Sequence, residues 1–63
     1  MMEREGRLVR FYVIRTRQGL GVVEKTDLEM VAEGLVALQV DTPQKNREDA
    51  EAIILHIQAT ERA

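Results

Sequence analysis

Apolar residues occupy both parities of RLVRFYVIR, residues 7–15. Side chains alternate between the two faces of a strand. Val9, Phe11 and Val13 would therefore point one way, and Leu8, Tyr12 and Ile14 the other. A half-exposed strand has one apolar face, and this one has two. Its β-branched and aromatic content suits a pleated surface, so the first strand is expected over 7–17. In RQGLG, Gly19 and Gly21 can supply the positive φ of a tight hairpin. LGVVEK then reads as a second strand.

TDLEMVAEG carries two periods at once. Thr26 and Glu29 have the spacing of a capping box, and Gly34 would stop a helix presenting Leu28, Val31 and Ala32. Leu28, Met30 and Ala32 also alternate as in a strand. A helix of two turns is weak alone, and the balance leans to strand. GLVALQV predicts another strand over 35–41, again apolar at both parities, with Leu35 and Ala37 against Val36, Leu38 and Val40.

The last third predicts a helix. Thr42 with Pro43 is one possible start, and Asn46 followed by Glu48 and Asp49 is a second. Ala50, Ile53, Ile54 and Ile57 share a face at helical spacing. Leu55, with Ala52 and Ala59, forms a weaker stripe nearly opposite.

The expected class is α+β: a small antiparallel sheet of three to four strands, with one C-terminal amphipathic helix packed on one face. One helix cannot cover both sides of strands 8–14 and 35–40. A second copy of the chain, as a homodimer, is the favoured cover, with a partly closed barrel next.

Composition narrows the chemistry. The chain has 63 residues, enough for a single domain over 1–63 with residues 1–6 frayed. A domain this size buries only about 60% of its unfolded surface and needs help from a disulfide, a metal or a partner. Cysteine is absent and His56 is the sole histidine, so neither a disulfide nor a metal site is expected. Serine is absent too, which with cysteine removes the usual acyl-transfer nucleophiles. His56 lies on the helix flank and reads as a boundary residue. No catalytic residue and no cofactor is expected, and the chain is not read as an enzyme. MMEREGR lacks the apolar core of a secretory signal, and no run is long enough to span a membrane. The expected compartment is the cytoplasm.

A net charge of −2 hides an asymmetry. Arg4, Arg7, Arg10, Arg15 and Arg17 crowd the first 19 residues, whereas Leu20 to Glu51 holds eight acids against three bases. An acidic segment of this kind can meet a basic partner. The candidate partner-binding residues are Glu24, Asp27, Glu29, Glu33, Glu48, Asp49 and Glu51. The alternative is RNA binding through Arg15, Arg17 and Arg47, which would supply phosphate contacts. Phe11 and Tyr12 are the only aromatic residues available for stacking.

Three short stretches carry a family resemblance. VIRTRQG near the first strand, LVALQVDTP leading into Pro43, and NRED with IILHIQA in the helix resemble, in order, the carbon storage regulator family. The resemblance implies a dimer of interleaved strands with a C-terminal helix, binding messenger RNA leaders. It would put the first-strand segment ending at Arg17, and Arg47, toward RNA. The stretch from Gly19 to Pro43 is shorter than the family's, its I-G-D element is missing, and Pro43 to Arg47 is too short for the family's last strand.

The function expected from these features is regulation or inhibition by docking on another macromolecule, another protein foremost. One form is an inhibitor, of the kind encoded by phage or mobile elements, whose acidic face mimics nucleic acid.

Overall fold

The computed structural model describes residues 8–62, so the expectation for residues 1–6 lies outside them. Strand β1, Val9–Thr16, pairs antiparallel with β2, Gly19–Thr26. The chain continues into a two-turn helix α1, Asp27–Ala32, a 3₁₀ turn at Val36–Leu38, and the long helix α2, Arg47–Arg62. The class is α+β with a two-stranded sheet.

The hairpin turns at Arg17 and Gln18. The Thr16 hydroxyl accepts from the Gln18 amide at 3.1 Å and donates to the Gly19 carbonyl at 3.2 Å. Gly19 takes the positive φ, at +117°. Gly21, expected to share that role, is an ordinary β2 residue opposite Ile14.

Of the segment 27–33, Asp27–Ala32 is helical with Glu33 as its C-cap, which corrects the leaning toward strand. Both of its ends are satisfied. The Glu29 amide donates to the Thr26 hydroxyl at 3.1 Å, and the Glu29 carboxylate accepts from the Thr26 amide at 2.9 Å. At the other end Gly34, with φ +70°, closes a Schellman motif. Its amide reaches the Val31 carbonyl at 3.1 Å, and the Leu35 amide reaches that of Met30 at 2.9 Å. Both ends together relieve the orphan backbone groups that make so short a helix unstable.

The strand expected over 35–41 does not form. Leaving α1, the chain must cross to the edge of β1, and it does so through the 3₁₀ turn. It then follows β1 at isolated points, Ile14 with Gln39 and Phe11 with Gln44. The Val40 amide also donates to the Val13 carbonyl at 3.0 Å. Between the two bridges β1 spans Phe11 to Ile14 while the facing segment spans Gln39 to Gln44. That mismatch of two residues loops Asp41–Pro43 outward and prevents a continuous ladder. The sheet consequently has two strands instead of three or four.

The opening of α2 follows from the same bridge. Amide and carbonyl of Gln44 are both engaged with Phe11, each at 2.9 Å, so residue 44 cannot be helical. Asn46 is the cap, accepting from the Asp49 amide at 2.8 Å. Thr42 and Pro43 are not the start.

Both faces of β1 are covered by the chain itself. Tyr12 and Ile14 are buried with Met30, and Val23 and Leu35 pack against them. On the opposite face Phe11 lies beneath Arg47 and Arg15 meets Glu61, both from α2. Helix α2 packs across β1 and β2, with Ala50 fully buried and Ile53, Ile54 and Ile57 half-buried. The chain thus roofs Tyr12, Val13 and Ile14 itself, while Leu8, Val9, Val36, Leu38 and Val40 remain exposed.

Candidate docking surface

The sheet divides the seven candidate carboxylates into two groups. Asp27, Glu29 and Glu33 belong to α1 and its C-cap, on the Tyr12 side. Glu48, Asp49 and Glu51 are exposed in the first turns of α2, on the Phe11 side. Glu24 joins the second group, since it pairs in register with Phe11 and lies 3.9 Å from Arg47. No single acidic face contains all seven.

The α1 group is held in place. Asp27 accepts from the Tyr12 hydroxyl, and Glu29 completes the capping box. Glu33 lies 3.0 Å from the Lys25 ammonium. Burial pushes the Tyr12 phenol up to about 12, and the hydrogen bond to Asp27 adds to this by favouring the protonated form. Lys25 is also raised, first by its hydrogen bond to Glu33 and then by that residue's charge. The acids of α1 are thus ordered by the fold.

The orientation of α1 differs from the helical expectation. Leu28, Val31 and Ala32 would have faced the core; instead Met30 does, at 1% exposure, while Leu28 and Val31 remain 60% and 69% exposed. At about 100° per residue, Leu28 and Val31 lie on adjoining lines of the helix surface, turned away from Met30. No sequence signal distinguished these orientations, because all four residues are apolar or small.

The three candidate arginines do not form one patch. Arg15 pairs with Glu61 near the end of α2. Arg47 stands at its beginning, 5.4 Å above the Phe11 ring centroid. Fourteen residues of helix separate Glu61 from Arg47, about 21 Å at 1.5 Å per residue. Arg17 is exposed in the hairpin turn. The contact between Arg47 and Phe11 is a cation–π pair that nothing in the sequence announced.

A cleft of about 360 Å³ opens at the start of β1, lined by Leu8, Val9, Arg10, Pro43, Gln44 and Lys45. No carboxylate, hydroxyl or thiol side chain lines it. Among the described residues no three histidine, cysteine or acidic side chains are placed to share a metal ion. No helix there is long and apolar enough to cross a membrane. Compared with known proteins, the chain matches no family model, no curated protein and no solved structure.

Proposed function

We propose that this chain is a small non-enzymatic regulatory or inhibitory protein that acts by docking on another macromolecule. The supporting observation is a burial imbalance. Among the described residues five hydrophobic ones are buried, whereas eight large ones, Leu8, Val9, Leu28, Val31, Val36, Leu38, Val40 and Leu55, remain exposed. Soluble proteins seldom leave extended apolar surface idle, and such surface commonly marks a binding site. The ordered carboxylates supply charge beside it, which favours selection and steering of a basic partner.

The test is capture of partners by the immobilised protein at low and high salt. A protein partner retained at low salt and released at high salt is expected. Absence of any partner at both salts would overturn the reading. Retention of a mixed RNA pool that disappears in R15A/R17A would replace it with the arginine reading.

A further inference from the structure

We propose that the cleft at the start of β1 binds a small aliphatic carboxylate. This goes beyond the docking reading and does not depend on it. The cleft exists because two segments part. Amide and carbonyl of Phe11 are both bonded to Gln44. Two residues further, a continuing ladder would pair Val9 with Asn46, but Asn46 is the cap of α2. Backbone groups at alternate positions of a strand point to the same edge. The Val9 amide therefore faces the gap as an available donor.

The same bridge between Phe11 and Gln44 sets Lys45 beside Arg10, and Arg10 is in register with Lys25 on its other side. Three bases thus form a row across one face. Lys25 is neutralised by Glu33 at 3.0 Å. Among the described residues, Arg10 and Lys45 have no carboxylate within ion-pair distance. Like charges at adjacent cross-strand positions repel, so an anion held between these two would relieve a repulsion that the fold itself creates.

The lining selects the occupant. Arginine pairs with a carboxylate through two parallel hydrogen bonds, and Lys45 and the Val9 amide add donors. Leu8, Val9 and Pro43 supply the apolar wall, extended by the aliphatic stems of the two bases. No aromatic side chain lines the cleft, so a nucleobase has no platform on which to stack. A volume of about 360 Å³ lies at the small end of the range for ligand sites. An aliphatic acid satisfies charge, wall and size together.

The probe is octanoate, titrated into isotope-labelled protein and followed by amide chemical shifts in NMR. Acetate and inorganic phosphate are controls for charge alone, and octylammonium for the aliphatic chain alone. K45Q changes an exposed side chain, and R10Q/K45Q removes both cations. R17Q changes an exposed arginine in the hairpin turn, at the opposite end of β1.

Octanoate should shift the amides of Val9, Arg10, Gln44 and Lys45 saturably. Its affinity should fall about tenfold in R10Q/K45Q, fall in the same direction in K45Q, and be unchanged in R17Q. The three control compounds should bind more weakly. No saturable shift at these amides, equal binding of octylammonium, or unchanged affinity in K45Q would each overturn the proposal. Acetate or phosphate binding as tightly as octanoate would overturn the aliphatic assignment. If R10Q/K45Q loses the parent spectrum, K45Q alone decides. Capture from lysate tests docking separately, so either reading can fail while the other stands.

Discussion

The two covers of the hairpin solve the same problem by opposite means. On the Tyr12 side the cover is six residues of helix, too short to persist by itself. It relies on both caps and on one long side chain, Met30, inserted among Tyr12, Ile14, Val23 and Leu35. On the Phe11 side the cover is a sixteen-residue helix. There a small residue, Ala50, is the one completely buried, with three isoleucines half-buried along the same face. Its ends are tied by Arg15 with Glu61 and by Arg47 with Phe11 and Glu24. A short cover concentrates its energy in one knob, whereas a long one distributes it. Damage to the first should therefore be the more severe.

The largest effect is expected from Met30→Ala. Removing a fully buried methionine costs about 2–5 kcal/mol, which is comparable to the whole stability of a domain this small. Urea denaturation should show most of the folded population lost at room temperature. A well-folded M30A would break the comparison, because α1 would then be held by its caps alone.

An intermediate effect is expected at alkaline pH. Tyr12 is the only tyrosine, and its folded value of about 12 stands above the ordinary value of 10.0. The unfolded chain loses this proton first as pH rises. The contribution is fully present below pH 10 and is lost as pH approaches 12, a change of about 2–3 kcal/mol. Urea midpoints at pH 8 and pH 11 should differ more in the parent protein than in Tyr12→Phe, which cannot ionise. Equal differences in the two proteins would show that folding does not favour the protonated Tyr12 phenol.

A smaller effect is expected from Ala50→Leu. Overpacking a filled site costs about 1–3 kcal/mol, and here it would push α2 away from the sheet. Hydrogen exchange should quicken in α2 while the amides of Met30 and Leu35 keep their protection. Equal loosening of α1 and α2 would show that the two covers are one cooperative unit.

The acidic and arginine candidates were legible as residues, but their grouping was not. Glu33 and Lys25, or Arg15 and Glu61, become neighbours only when the hairpin and helices are placed. The exposure of Leu28 and Val31 was similarly hidden. In a six-residue helix any of several apolar positions could face the sheet, and the choice depends on which side chain fits between Tyr12 and Ile14.

Local sequence determined the hairpin, with β-branched runs on either side of a glycine-bearing turn, and it determined α2, whose apolar period persists for several turns. It also contained the capping box of Thr26 and Glu29. Only tertiary structure decided that 27–32 would be helix and that 35–41 would not be strand. The first is short enough for periods of two and of 3.6 residues to fit equally well. The second is apolar at both parities, so its pattern favoured a strand without fixing what it would pair with. Their choice came from contacts distant in sequence: Met30 entering the Tyr12 cluster, and Gln39 and Gln44 meeting β1 out of step. Burial of that kind depends on residues a local window does not contain.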